Sequence, residues 1–263
     1  MIFNLFGNSN NPVVIMLAGS FCPAESMELV YKELEKDYYV IAPTYNGCHE
    51  NSKDFTSRQG EAAEICTYIK ERKIATVKMI YGQSMGCEIG LELAYQLIEN
   101  GIVVENGFFD GAPCASLPKP MRRVMLSVFR NCLNAFRGKT LDETMNIRLV
   151  KIMSNKNPEA LKPMIEPILI IAPYLTDKSV KNQVECCYTF DFPQFASSVE
   201  KNFHFFYGGS EKAYRLSYKG TRKSYPNADY IIKKGYGHCT YMTKNTEDYI
   251  KLLYEIMMPC SKA

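Results

Sequence analysis

Tryptophan is absent from the 263 residues and histidine nearly so, leaving any imidazole chemistry only His49, His204 and His238 to draw on. Neither charge sign is in real surplus: a net charge of +3 is too small to point to nucleic acid as a partner. No apolar stretch approaches the roughly 20 residues of a membrane-crossing helix, so no membrane span is expected. The opening residues, Met1-Ile2-Phe3-Asn4-Leu5-Phe6-Gly7, lack a basic segment followed by a long apolar one, and no secretory signal is expected. Cysteine and histidine show no clustered metal-ligand spacing and there is no glycine-rich phosphate loop, so neither a metal nor a cofactor is expected. The ten cysteines form no C-x-x-C pair, and Cys186 and Cys187 are adjacent. Buried thiols in a reducing cytoplasm account for them better than a disulfide framework does.

What is present suits a single globular unit. Hydrophobic residues make up 46% and charged residues 22%, and a chain of this length can bury a sizeable core. Strand and helix signals alternate: a strand over 13–17, a helix over 24–36, and a strand over 38–42 ended by Pro43. Thr56 with Gln59 three residues on resembles a capping box that starts a helix running to about Arg72. Such alternation predicts a mostly parallel sheet with crossover helices.

Residues 82–86, Gly-Gln-Ser-Met-Gly, are the most informative stretch. A β-branched apolar run over 76–81 precedes them, and a helical pattern over 87–100 follows, with Ile89, Leu93, Leu97 and Ile98 on one side. Strand, sharp turn, helix is the setting in which the serine of G-x-S-x-G becomes a nucleophile. The turn strains the backbone at Ser84 and demands small neighbours, which Gly82 and Gly86 supply; Gly90 would let the helix pack close to the sheet. A glycine-rich turn with an incidental serine is the plainer alternative.

A serine hydroxyl needs a base. His49 sits in a loop with nothing around it pointing to chemistry, and His204 lies inside an aromatic strand, where packing explains it. His238 follows a strand-like run and the turn Gly235-Tyr236-Gly237 and precedes the last helix, over about 246–258. That placement suits a catalytic base.

The elbow at Ser84, with His238 after it and ahead of the final helix, resembles the α/β-hydrolase superfamily over nearly the whole chain. The resemblance implies a mostly parallel central sheet flanked by helices and a chain order of serine, acid, histidine. The acid's usual stretch corresponds to Tyr207-Gly208-Gly209-Ser210-Glu211, which makes Glu211 the candidate, a glutamate where aspartate is commoner. The plainer account of Glu211 is an acidic first turn in a helix capped by Ser210. Asp110, at the end of an earlier strand signal, is the rival acid. For the oxyanion hole the resemblance implies the backbone N–H of Met85 and one from the turn Ala18-Gly19-Ser20-Phe21, supplied by Ser20 or Phe21; many relatives have His-Gly where this chain has Ala18-Gly19.

The alternation breaks over 113–175, a largely helical stretch that the resemblance implies is a cap inserted between core segments 1–112 and 176–263. Its first helix, over 118–137, carries an apolar stripe through Met121, Val124, Met125, Val128, Phe129, Cys132, Leu133 and Phe136. Met125 and Phe129 are expected to line an acyl pocket. The basic side of this helix could instead rest on an anionic membrane surface. The resemblance thus implies a serine hydrolase that cleaves a carboxylic ester or related small acyl compound, without a cofactor. Thioester or amide hydrolysis, acyl transfer, and a non-catalytic receptor or interaction protein on this fold stay open.

Overall fold

The structure, a computed structural model, describes residues 1–153, 158–211 and 214–258. Along the chain the elements are β1 (Ile2–Phe6), β2 (Val13–Leu17), α1 (Glu28–Leu34), β3 (Tyr39–Thr44), α2 (Arg58–Glu71), β4 (Thr76–Gln83), α3 (Met85–Glu99), β5 (Val103–Val104) and β6 (Gly107–Asp110). A helical excursion follows, comprising α4 (Lys119–Phe136), α5 (Leu141–Met145), α6 (Arg148–Met153), α7 (Lys162–Ile171), α8 (Asp177–Tyr188) and α9 (Ser197–Glu200). The sheet resumes with β7 (Phe203–Gly208), α10 (Tyr214–Ser224), β8 (Asp229–Lys233), α11 (Thr240–Lys244) and α12 (Thr246–Met257).

The sheet runs β1-β3-β2-β4-β6-β7-β8, with the short β5 beside β4. Every pairing is parallel except β1 with β3, as the alternation of signals predicts. The central strand β2, Val-Val-Ile-Met-Leu, is buried throughout, which is how a parallel strand covered on both faces reads. A cluster of rings fills the core around β6: Tyr81 stacks on Phe108, and Phe108, Phe206 and Tyr249 meet tilted or edge-on, with centroids of these contacts 5.4–5.9 Å apart.

Three expectations shift, and one edge strand was not foreseen. That strand, β1, is held by its antiparallel ladder to β3, a tertiary cause. β3 continues through Pro43 to Thr44, because β2 pairs only with Tyr39–Ile41 and asks Pro43 for no N–H. Ser57, not Thr56, caps α2, its hydroxyl accepting from the Gly60 N–H at 3.1 Å. The stretch over 24–36 divides into a 3-10 turn over Ala24–Met27 and α1.

The stripe on α4 is only partly covered. Only Leu133 and Phe136 are buried. Met121, Val124 and Val128, from the first part of the same stripe, are exposed. The reason is the partner: α4 packs along α8 rather than lying flat on the sheet.

Candidate active site

The elbow forms where strand β4 gives way to helix α3 with a single residue between them. Ser84 has φ 51° and ψ −122°, a conformation that costs a non-glycine residue about 1–3 kcal/mol and persists only when neighbours over-determine it. Here they do. The Ser84 N–H donates to the Asp110 carbonyl at 2.8 Å, and the Ser84 carbonyl accepts from Cys87 N–H at 2.9 Å. At Gly86 a Cβ would lie 2.0 Å from the Leu17 carbonyl oxygen, so only glycine lets the helix start this close to β2. The Asp110 carbonyl is a junction: the Cys87 thiol (3.3 Å) and the Cys239 thiol (3.8 Å) also point to it. The end of β6 is thereby tied to the elbow and to the loop that carries His238.

His238 Nδ1 donates to Glu211 Oε1 at 2.7 Å, which leaves Nε2 as the basic nitrogen. Burial alone would push the ring's pKa down. The charge and hydrogen bond of Glu211, with the charge of Asp110, outweigh it and hold the imidazole above its ordinary 6.5. Ser84, Glu211 and His238 line one cavity. The Ser84 hydroxyl makes no hydrogen bond to a described residue, so it meets an incoming carbonyl unencumbered; serine–histidine contacts often tighten only around substrate. Gly111, at φ +68°, seats the ring: a Cβ there would lie 2.7 Å from His238 Cε1 and 2.9 Å from Nδ1. Nothing in the sequence singled out Gly111.

The other histidines and the rival acid lie elsewhere. His49 Nδ1 meets the Glu50 carbonyl at 3.0 Å, and His204 faces Asp229 at 3.4 Å; neither lines the cavity. Asp110 is fully buried and receives the Tyr249 hydroxyl at 2.8 Å, which in turn meets the Tyr81 hydroxyl at 3.0 Å. Its carboxylate makes no bond to His238, and burial, partly offset by the Tyr249 bond, pushes its pKa up to about 7. Glu211 precedes α10, yet its carboxylate goes to His238 rather than to a helix end.

The turn after β2 corrects one expectation. The Phe21 N–H is not free: it donates to the buried Gln183 Oε1 at 2.8 Å, with Phe21 held at φ 60°. Gln183 lies on α8, far along the chain, and nothing in the sequence marked it. The N–H groups of Ser20 and Met85 donate to no described residue. Ser20 and Ser84 line the same cavity, and a Cβ on Gly19 would lie 3.3 Å from Ser84 Cβ, which measures how close this turn comes to the elbow.

The cavity holds about 490 Å³. Its polar end is Ser84, His238 and Glu211; beyond them its wall is largely apolar, with Met125, Phe129, Phe136 and Met164 among the lining residues. Phe129 packs against Phe21 with ring centroids 5.6 Å apart. No lysine or arginine among the described residues lines it. No described group of three His, Cys, Asp or Glu side chains is placed to hold a metal ion, and no described helix is long and apolar enough to cross a membrane.

A mostly parallel sheet with helices on both faces, and a serine elbow at the carboxyl end of a central strand, define the α/β-hydrolase fold, and this chain has it. Solved structures agree. An α/β hydrolase family protein from Desulfitobacterium hafniense superposes with a TM-score of 0.73 at 19% identity, covering 98% of this chain and 100% of that one. MenH from S. aureus gives a TM-score of 0.71 at 14% identity, covering 97% of both chains. A marine microorganism esterase gives 0.70 at 15% identity, covering 97% of this chain and 98% of that one. No family model matches the chain, and no curated protein matches it by sequence.

Proposed function

We propose that this protein is a serine hydrolase acting on a neutral carboxylic ester with an apolar acyl group. The observation that carries the reading is the pairing of a strained, cavity-facing Ser84 with a His238 locked to Glu211 at 2.7 Å. His238 Nε2 takes the Ser84 proton as the hydroxyl attacks the carbonyl carbon, and Glu211 holds the ring in the tautomer that leaves Nε2 basic. The tetrahedral oxyanion is met by the Met85 and Ser20 N–H groups, each able to lower the barrier by about 3 kcal/mol. His238 returns the proton to the departing alcohol. Water, activated by the same ring, then releases the acid. Among the described residues the wall holds no cation to pair with a charged acyl group, which favours neutral chains.

In this reading the helices over 113–175 act as a cap, and Met125 and Phe129 are the acyl contacts. Nine described cysteines are free and eight of them are buried, which supports a reducing, cytoplasmic setting. Fluorophosphonate labelling and turnover of nitrophenyl esters, beside thioesters and aminoacyl amides, test the activity and its class. The wild type should label, and Ser84→Ala should lose labelling and several orders of magnitude in turnover while staying folded. A Ser84→Ala protein that kept wild-type turnover would remove Ser84 from the chemistry.

A further inference from the structure

We propose that the mouth of the cavity, formed by α4 and α10, docks on an anionic lipid surface, from which the acyl substrate is taken. Large apolar side chains are exposed there in a group: Met121 is 54% exposed, Val124 62% and Leu216 59%. Met121, Val128 and Leu216 also line the cavity, so this apolar rim runs without a break into the interior. The spacing of Met121, Val124 and Val128 places all three on one side of α4. Grouped exposure of this kind marks an interaction surface rather than an ordinary scatter of surface hydrophobics.

The charge around the rim says what kind of surface it fits. Helix α4 contains Lys119, Arg122, Arg123 and Arg130 and no acidic residue; α10 contains Arg215, Lys219, Arg222 and Lys223 and none either. The whole chain carries only +3, so positive charge is concentrated on these two helices while the remainder is net negative. Arg122 and Arg130 are tied to Glu185 and Asp177 of α8. Lys119, Arg123, Arg215 and Lys219 are exposed and have no ion-pair partner among the described residues. Unpaired cations flanking exposed aliphatic side chains match a bilayer interface, with anionic headgroups outside and acyl chains beneath. Docking there would open the cavity toward those chains. The supply of substrate rests on the acyl-pocket reading above; the docking itself does not depend on Ser84.

Co-sedimentation with phosphatidylcholine vesicles, with and without phosphatidylserine, tests this. The wild type should bind vesicles containing phosphatidylserine, at least about tenfold more weakly without it, and more weakly as salt rises. Arg123→Glu with Lys219→Glu should lower binding at least about tenfold. Val124→Asp should lower it comparably by removing an apolar contact. None of these three residues lines the cavity, so hydrolysis of a soluble short-chain ester should stay at the wild-type rate and certify the fold. Ser84→Ala should bind vesicles as the wild type does, which keeps the result readable if the hydrolase assignment fails. Absence of wild-type binding to anionic vesicles, or binding undiminished in both variants, would overturn the proposal. So would a wild-type dimer in solution that Val124→Asp dissolves without any vesicle binding, since the face would then belong to a second copy of the chain.

Discussion

Replacing Gly111 with alanine would put a methyl carbon 2.7 Å from Cε1 and 2.9 Å from Nδ1 of His238. Non-bonded carbons settle at about 3.5–4.0 Å, so either the ring or the β6 end must retreat by about 1 Å. The ring cannot do so and keep its 2.7 Å bond to Glu211. A misplacement of about 1 Å lowers turnover on the order of 10²-fold, equivalent to about 2.7 kcal/mol of barrier. Alanine at φ +68° also strains the backbone, by about 1–2 kcal/mol, so a loss of activity could be confused with a loss of folded protein. Gly101 separates the two effects. It has φ +75° and nothing within 4 Å of a built Cβ, so Gly101→Ala carries the same backbone strain with no ring to strike. Both variants should lose stability in a thermal melt; only Gly111→Ala should lose about two orders of magnitude in kcat/KM for a nitrophenyl ester, with fluorophosphonate labelling slowed in parallel. Gly111→Ala within threefold of wild type, or Gly101→Ala as inactive as Gly111→Ala, would refute the seating argument.

Glu211→Gln should lose about 10²–10⁴-fold in turnover and Asp110→Asn far less, because only Glu211 contacts the ring; a larger loss for folded Asp110→Asn would reverse the assignment. The base must be neutral to act, and His238 is held above 6.5, so the acidic limb of kcat/KM should lie above that of free imidazole and move down in Glu211→Gln, where burial is left opposed only by Asp110. The same shift makes the charged pair stabilising below the ordinary imidazole value, a contribution lost as pH rises through the folded-state value, which thermal melts against pH would follow. Gln183→Leu strands the Phe21 N–H and should destabilise the fold by about 1–3 kcal/mol while lowering kcat more than it raises KM, read from urea unfolding beside steady-state kinetics. Met125→Gln and Phe129→Gln should weaken long-chain esters relative to acetyl esters, by up to about 0.8 kcal/mol for each methylene no longer buried; an unchanged ratio of kcat/KM values would remove both side chains from the acyl pocket.

Local signals carried most of the fold into view. The run over 76–81, the turn at Ser84 and the periodic helix behind it each announce themselves within a few residues, and the parallel sheet follows from the alternation of such signals. β1 did not, because Ile2–Phe6 owes its extended state to a partner strand nearly forty residues away. Asp110 ends β6 and Glu211 follows the end of β7, and in sequence they differ mainly in which lies nearer the usual place for an acid. What separates them is the direction of the His238 ring, fixed by its loop and by the missing side chain at Gly111. Gln183 was invisible because its role is a contact across 162 residues, between the α8 helix and the turn after β2. The α4 stripe was legible in part, since Met125 and Phe129 do line the cavity; a helical period says which residues share a side, not how much of that side is covered.

The shared acceptor at Asp110 has a consequence for how this protein fails. Its carbonyl receives the nucleophile's own N–H, a thiol from the first turn of α3 and a thiol from the residue after His238. The nucleophile's own backbone and the residue after the base therefore converge on one atom at the end of one inner strand, rather than standing on loops that can fray separately. Opening the end of β6 releases both, and neither can drift while that end is closed. Thermal or chemical damage should accordingly divide a population into fully competent and fully inert molecules, with few crippled ones between.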